Sequence, residues 1–490
     1  MSAIKKFVSD TMIYGLSTIL SRMLGFLMTP FFTWQFVKSV YGIFTSLFAY
    51  ASMLNAVLAF GMETTFFRYL QKVEGDKSRV FDSSFFITLI TTAIFLLTVF
   101  TFTGPIALWL SEGVNTPDYI LYVKLFAIII SADAIAVVPF AKLRAEGRPI
   151  RYGAVKLINI FVFIAGNLFL LSWLPELNKS SEFWREISAG WFREGWLGNV
   201  FIANVIASIA TLLLLTPQII GFRFRVDSKL MRNMIAYSFP ILIANISFII
   251  NEHLDKMMIP RLIPGVQGEE DNGVYGAVAK IAVFLNLFVT AFRLGAEPFF
   301  FSYSKNENAR KTYAMIMEYF VIAMVIVMIG LCANLDWLKH FINENYWSGL
   351  VIVPILLFNY VLLGVYMNLS VWYKLSDQTR YGLYISGIGA IITIVLNFSL
   401  IPHFSYVGAA LSTTVTYIVM VVLSYTWGQQ NYTIPYNNRK IIAYLLSGLA
   451  VSWLAYYGNF WVGNLVLIAF LAGVAYLEKD SVLKILRRGK

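Results

Sequence analysis

Charged side chains are rare inside the long apolar stretches of this chain, and the few that occur there are the candidates for chemistry. An ionisable group at the centre of a bilayer costs ~2.5–3.5 kcal/mol on insertion scales, so it usually faces a cavity or a partner. Four of these groups are cations, namely Arg22, Lys256, Lys280 and Arg293. Cations in such surroundings predict a cavity that binds an anionic ligand.

A second set of polar groups suits coupling or gating. Its members are Glu63, Glu252, Asp255, Glu297, Asn251 and His253. Glu63 and Glu297 lie near one end of their apolar stretches, and Asp255 lies nearer the opposite end of its own. We interpret the two layers as inner and outer gates that open alternately.

Internal neutralisation is the alternative interpretation of these charges. The i,i+4 spacing allows Glu252 to pair with Lys256, and Arg293 to pair with Glu297. His253 could carry a proton beside Asp255, or it could be a packing histidine that is held by a hydrogen bond. No residue set has an order that favours nucleophilic catalysis or a metal site, so we predict neither.

Fourteen apolar segments make up most of the chain. Hydrophobic residues account for 58% of the 490 positions and charged residues for 13%, which is too apolar for a soluble protein of this size. A membrane-spanning helix needs ~20 apolar residues. The segments are 9–34, 42–67, 84–109, 118–141, 153–175, 197–220, 235–262, 273–301, 313–335, 349–372, 381–402, 406–427, 440–458 and 460–477. The sequence therefore predicts an all-α integral membrane protein with about 14 transmembrane helices.

Basic residues alternate between rich and poor connections. The fourth-to-fifth connection has Lys142, Arg144, Arg148 and Arg151, whereas the third-to-fourth has none. Because basic connections stay on the cytoplasmic side, we expect both termini to be cytoplasmic. The net charge of +11 is then mainly this orientation signal plus attraction to membrane lipids. No soluble segment is long enough for a nucleic-acid-binding domain, so we expect no nucleic-acid partner.

The two halves of the chain repeat. Residues 40–71 and 274–305 align without a gap at an offset of 234, and they share the tyrosine–glycine pairs Tyr41-Gly42 and Tyr275-Gly276. The same offset matches Gly61 with Gly295 and Glu63 with Glu297. Each repeat contains an even number of helices, so both copies enter the membrane from the same side and are parallel. Transporters built in this way bind substrate between two lobes. We predict an N-lobe at 1–226, a C-lobe at 227–430, and a two-helix appendage with a basic tail at 431–490.

Several enzyme classes lack their signatures here. The chain has no glycine-rich P-loop and a single cysteine, Cys332, which excludes an internal disulfide and a thiolate metal site. Membrane enzymes that act on lipid-linked sugars are the remaining rivals. The longest outer connection, about 176–197, is too short for a catalytic domain, so we expect a protein that is not an enzyme.

Short motifs resemble one family along nearly the whole chain. They are AFG at 59–61, LRAEGR at 143–148, KLSDQTRY at 374–381, LNFSLIP at 396–402 and GAALST at 408–413. With the 6+6+2 plan, they resemble the Wzx-type oligosaccharide flippases of the MOP superfamily. MATE drug transporters and lipid II flippases belong to the same superfamily.

The resemblance implies alternating access without a chemical step. Its implied substrate is a lipid-diphosphate-linked oligosaccharide for surface polysaccharide (O-antigen, capsule or exopolysaccharide), which moves from the cytoplasmic to the outer leaflet of a bacterial inner membrane. The implied partners are this glycan, membrane lipids, and a polysaccharide polymerase or glycosyltransferases. No cofactor is expected beyond H+ or Na+ for coupling. The alternatives are a MATE-type H+/Na+-coupled drug antiporter and, more narrowly, a lipid II flippase.

Overall fold

Helices make up nearly all of the computed structural model, which describes residues 14–15, 17, 19–113, 115–224 and 227–488. No β-strand occurs among these residues, so the predicted all-α class is confirmed. Twelve helical stretches in the described chain are long and apolar enough to cross a membrane. They are Lys38–Lys72, Ser78–Thr101, Thr116–Ala145, Pro149–Ser180, Gly198–Ile219, Ser228–Leu262, Val266–Tyr303, Ala309–Ala333, Glu344–Leu375, Arg380–Asn431, Asn438–Tyr457 and Phe460–Lys479.

The chain forms two compact units. The first consists of Met1–Val40 and Ser46–His253. Its helices are α1 (Met28–Gln35), α2 (Lys38–Ala59), α3 (Met62–Lys72), α4 (Ser78–Thr101), α5 (Thr103–Ser111), α6 (Thr116–Ala145), α7 (Pro149–Leu168), α8 (Leu174–Ser180), α9 (Glu182–Ser188), α10 (Gly198–Ile219) and most of α11 (Ser228–Leu262). A π-helical turn, Phe169–Trp173, joins α7 to α8.

The second unit consists of Tyr41–Thr45 and Leu254–Lys490. It contains the end of α11, five residues of α2, and 3-10 turns at Lys339–Phe341 and Glu344–Ile352. Its other helices are α12 (Val266–Tyr303), α13 (Ala309–Ala333), α14 (Leu335–Leu338), α15 (Val353–Leu369), α16 (Val371–Leu375), α17 (Arg380–Asn431), α18 (Asn438–Tyr457) and α19 (Phe460–Arg488).

A break between α2 and α3 redirects the chain just before Glu63. Phe60 and Gly61 have φ angles of 47° and 64°, a left-handed conformation that glycine adopts without steric cost. A Cβ on Gly61 would also lie 3.0 Å from the Ile241 side chain. The break therefore needs a glycine, and it places Glu63 in the first turn of α3.

Helix α17 is a hairpin of two antiparallel helices. A straight helix of 52 residues would be ~78 Å long, more than twice the thickness of a bilayer core. Instead, Ser405 leaves helical geometry (φ 49°, ψ −133°), and the hydroxyls of Thr393 and Thr416 meet at 3.0 Å. A Cβ on Gly408 would lie 2.5 Å from the Leu400 carbonyl oxygen. The chain therefore reverses at the predicted connection 403–405.

The total of fourteen spans stays a prediction, because the first apolar segment lies partly outside the described residues. Within that segment, residues 19–26 are helical and α1 follows. Residues 1–13 and 489–490, which include both termini, also lie outside the described chain. The predicted lobe boundaries after residues 226 and 430 stay predictions as well.

Two repeat-related glycines lie at one close helix crossing in the second unit. A Cβ on Gly42 of α2 would lie 1.8 Å from the carbonyl oxygen of Glu269, in α12. A Cβ on Gly276 of α12 would lie 2.4 Å from Thr45 Oγ1, in α2. The buried amide of Asn272 also donates a hydrogen bond of 3.0 Å to the Gly42 carbonyl oxygen. Small residues permit this approach of two backbones.

Candidate functional site

A polar cavity of about 320 Å³ lies inside the first unit. We call it the N-lobe cavity. It is lined by Glu63, Asp133, Ala136, Val137, Phe140, Tyr152, Lys156, Asn159 and Thr211. Its polar side chains come from α3, α6, α7 and α10, all of which lie in predicted membrane spans. A polar cavity at this depth is a candidate for binding or for proton transfer.

Hydrogen bonds from α10 and α7 order the polar wall of this cavity. The Ser208 hydroxyl donates to Asp133 at 3.0 Å. The Asn159 amide donates to Thr211 Oγ1 at 2.9 Å and to the Ala207 carbonyl oxygen at 3.1 Å. Asp133 therefore lines the cavity with one of its oxygens held by the Ser208 hydroxyl.

Lys156 is the cation of the N-lobe cavity. Its ammonium lies 4.2 Å from the centre of the Phe140 ring, where the face of the ring attracts a cation. Asp133, Glu63 and Arg22 all act on it electrostatically. No carboxylate of the described chain lies within ion-pairing distance of Lys156 or of Arg22.

A second polar cluster forms where α11 and α12 meet in the second unit. Lys256 Nζ lies 3.1 Å from Asp255 Oδ1 and 5.2 Å from the centre of the Tyr275 ring. The Tyr275 hydroxyl donates to Asp255, whose side chain is only 5% exposed. A buried carboxylate with two such partners stays in place, and it partly neutralises Lys256.

Lys280 lies on α12, and no carboxylate of the described chain neutralises it as Asp255 neutralises Lys256. It is half-buried, and its electrostatic neighbour is the like-charged Lys256. No hydrogen bond or ion pair joins Lys280 to another described residue. The structure therefore places Asp255, Lys256 and Lys280 near one another, and Lys280 is the cation of this group that no described carboxylate neutralises.

The pair of Arg293 with Glu297, which the alternative interpretation allowed, does not form in the described structure. Glu297 pairs with Lys374, which lies at the end of α16, whereas the guanidinium of Arg293 lies 4.0 Å from Met367 Sδ. The physical reason is that Lys374, on the neighbouring helix α16, lies close enough to Glu297 to form the ion pair instead of Arg293. Across the described residues, Arg293 has no carboxylate partner.

The remaining predicted residues lie around the middle of α11. Asn251 is buried, and His253 Nε2 lies 3.9 Å from the Glu252 carboxylate. The predicted pair of Glu252 with Lys256 stays a prediction, as do the coupling and gating roles of all these residues.

Glu63 and Glu297 have equivalent partners, each within its own unit. Glu63 pairs with Arg144 and Glu297 pairs with Lys374. Both cations lie in the connections that follow the fourth and tenth apolar segments, which are corresponding places in the repeat. The internal repeat therefore extends to ion pairs that the sequence reasoning missed.

Asp133, Lys156 and Asn159 were also missed, although a signal was present. Asp133 lies in the middle of segment 118–141, and Lys156 and Asn159 lie inside segment 153–175. The criterion that selected Arg22, an ionisable group within an apolar segment, selects Asp133 and Lys156 equally. Among the described residues, no group of three or more His, Cys, Asp or Glu side chains is arranged to hold a metal ion.

Known proteins resemble this chain in both sequence and fold. Residues 7–296 match the family model described as polysaccharide biosynthesis protein. None of the curated protein sequences is similar enough to count as a match. The fold is similar to that of the lipid II flippase MurJ in an inward closed conformation, with a TM-score of 0.71 and 15% identity over 96% of this chain and 100% of that one.

Two MATE transporters share the fold as well. An inward-facing multidrug resistance transporter of the MATE family and MOP superfamily has a TM-score of 0.61 and 13% identity, over 89% of this chain and 95% of that one. The MATE multidrug transporter DinF-BH has a TM-score of 0.59 and 16% identity, over 88% of this chain and 97% of that one. The predicted MOP-type fold is thus confirmed.

Proposed function

The chain belongs to the polysaccharide biosynthesis protein family, and we propose that it flips a lipid-diphosphate-linked oligosaccharide from the cytoplasmic to the outer leaflet of a bacterial inner membrane. Transport would proceed by alternating access and without a chemical step. Its product would feed surface polysaccharide synthesis, with a polymerase and glycosyltransferases as functional partners. Both termini would be cytoplasmic.

One observation supports an anionic substrate above all. Arg22, Lys280 and Arg293 lie within predicted membrane segments, yet none has a carboxylate partner in the described chain. A cation that is not neutralised by the protein is expensive in a bilayer, so its retention is explained by a ligand that neutralises it. A diphosphate offers several oxygens to guanidinium and ammonium donors.

A reconstituted flippase assay tests this function. The full chain is placed in vesicles with a fluorescent lipid-diphosphate oligosaccharide in both leaflets, and a membrane-impermeant quencher reports how much label reaches the outer leaflet. We expect quenching to proceed to completion with the protein and to stop near half without it. Equal quenching with and without protein would contradict the proposal. A lipid-linked peptidoglycan precursor, tested in parallel, separates the narrower lipid II alternative.

The drug antiporter remains the second candidate, and the N-lobe cavity is the observation that favours it. Asp133 and Glu63 line that cavity, and carboxylates suit organic cations and coupling ions. Lys156 lines it too and already supplies a positive charge there, which disfavours a cationic drug. Efflux of a cationic dye from cells that express the chain, without any loss of surface glycan in a deletion strain, would favour the antiporter.

We propose that transport is coupled to H+ rather than to Na+, because of the charges that line the N-lobe cavity. Na+ would have to enter beside the Lys156 ammonium and find several oxygen ligands, whereas a proton needs only the Asp133 carboxylate. The other titratable groups that line this cavity are Glu63 and Tyr152, and Arg22 acts electrostatically on Lys156. We expect Asp133→Asn to abolish acceleration of flipping by an imposed pH gradient and to preserve slow downhill flipping. A response to a Na+ gradient alone would contradict this assignment.

A further inference from the structure

A second cavity, of about 470 Å³, lies at the end of the first unit that carries the basic connections. We call it the basic-end cavity. Its lining residues are Phe66, Phe67, Leu70, Gln71, Lys77, Ser78, Phe81, Lys142, Ala145, Glu146 and Gly221. It shares no residue with the N-lobe cavity, and the proposed transport function does not use it. Its volume falls in the range of ~300–1,000 Å³ that is typical of small-molecule sites.

Lys142 is a half-buried cation without an acidic partner on the wall of this cavity. Its ammonium lies 4.0 Å from the centre of the Phe81 ring. It donates one hydrogen bond of 3.1 Å to the Gln218 carbonyl oxygen, and an ammonium has three donors. No carboxylate of the described chain lies within ion-pairing distance of Lys142. Two of its donors are therefore available to an anion in the cavity.

The rest of the lining separates into a polar part and an apolar part. Lys77 and Ser78 add an ammonium and a hydroxyl at the start of α4. Phe66, Phe67 and Leu70 add an apolar wall from α3. The one carboxylate in the lining, Glu146, pairs with Arg148 at 3.1 Å. Once that pair is set aside, the cavity offers two cations next to an apolar surface.

We propose that the basic-end cavity binds an anionic phospholipid of the bilayer. Its phosphate would contact Lys142 and Lys77, and the first part of its acyl chains would lie against Phe66, Phe67 and Leu70. Most of the lining belongs to the ends of predicted membrane spans where basic connections accumulate, and Lys77 lies just before the span that begins at Ser78. Pockets between helices at such ends bind anionic headgroups. The apolar wall favours a lipid over a free phosphate.

Native mass spectrometry of the full chain with added phosphatidylglycerol tests the proposal. We expect wild type to retain phosphatidylglycerol, and Lys142→Gln to retain roughly tenfold less at equal concentration, because one charge-assisted contact is lost. Lys229→Gln is the matched control, since Lys229 is exposed in the first turn of α11 and does not line the cavity. We expect it to bind within about twofold of wild type, since surface charges contribute little. Equal losses in both variants would overturn the proposal.

A second variant and two competitors complete the test. Ala145→Trp keeps the charge of Lys142 but fills the cavity, so it should also lose phosphatidylglycerol, and normal binding by this variant would overturn the site. Wild type should prefer phosphatidylglycerol to phosphatidylcholine. Displacement of phosphatidylglycerol by inorganic phosphate or by an acidic peptide at equal concentration would overturn the assignment to a lipid. Retention of a lipid diphosphate without retention of phosphatidylglycerol would overturn the assignment to a phospholipid of the bilayer.

Discussion

A lysine inside a membrane helix is expensive unless it has a partner, and Lys280 has no carboxylate partner within the described protein. The charged group that acts on it, Lys256, is also a lysine. By contrast, Lys256 is held by Asp255 and Tyr275, so its side chain is explained by local structure alone. The two lysines therefore differ in what their removal should do.

Replacing Lys280 should damage transport and spare the fold. We expect Lys280→Gln to slow flipping by roughly 10- to 100-fold, because a lost charge-assisted contact is worth ~1.5–3 kcal/mol. Its thermal midpoint should not fall, since no described group loses a partner. The vesicle assay and a thermal melt measure the two effects.

Lys305→Gln is the control for this experiment, because Lys305 is exposed on a connection and its replacement changes net charge equally. The control should flip at the wild-type rate. If Lys280→Gln flips as fast as the control, Lys280 does not contact the substrate.

Replacing Asp255 should affect stability first. Asp255→Ala removes the carboxylate beside Lys256 and leaves the buried Tyr275 hydroxyl without its acceptor, and an unsatisfied buried donor typically costs ~1–3 kcal/mol. We expect a clear fall in the thermal midpoint, and partial recovery of it in the double variant with Lys256→Gln. A double variant less stable than Asp255→Ala would show that Lys256 has another anionic partner.

At the residue scale, the sequence predicted which groups are special and missed how they pair. Arg293 and Glu297 have helical spacing that favours a pair, but Lys374 from another helix reaches Glu297. Likewise, Ser208 is the partner of Asp133 across 75 residues of chain. Periodicity describes one helix at a time, so it cannot show which side chain a neighbouring helix supplies.

At the scale of helices, the close crossing of α2 and α12 at Gly42 and Gly276 predicts that a side chain added there will reduce stability. Gly42→Ala places a Cβ 1.8 Å from a backbone oxygen, so the two helices must separate. We expect a lower thermal midpoint and lower flipping. Gly295→Ala, in the same helix as Gly276, meets no atom within 4 Å and should be neutral or stabilising, because alanine is the better helix former by ~1 kcal/mol. Equal stability of the two variants would show that the crossing tolerates a side chain.

The ion pair of Glu297 with Lys374 predicts a charge-swap rescue. Its side chains are 39% and 32% exposed, so neutralisation by Glu297→Gln should change the free energy of unfolding by only ~0.2–1 kcal/mol. Charge reversal is harsher: Glu297→Lys or Lys374→Glu alone places like charges together and should slow flipping. The double swap should restore most of the rate if the pair orients the end of α12. A double swap no faster than either single variant would exclude that role.

For the whole molecule, hydropathy located individual spans well, because the thickness of the bilayer dictates the length of an apolar helix. Segments 84–109, 118–141 and 197–220, for example, fall on α4–α5, α6 and α10. The break at Phe60–Gly61 inside one span and the π-helical turn at Phe169–Trp173 were not predicted. They arise from packing against other helices, which a pattern along one segment does not contain.

Helix α17 should cross the membrane twice. Because the chain reverses at Ser405, the two ends of Arg380–Asn431 should lie on the same side of the membrane and its middle on the other. We expect single cysteines at Thr379→Cys and Thr433→Cys to react with an impermeant maleimide only after the cells are permeabilised. His403→Cys should react in intact cells. The buried Cys332 is first replaced by alanine so that each variant has one thiol. Reaction of residues 379 and 433 from opposite sides would mean a single crossing, and the parallel arrangement of the two six-helix repeats would then fail with it.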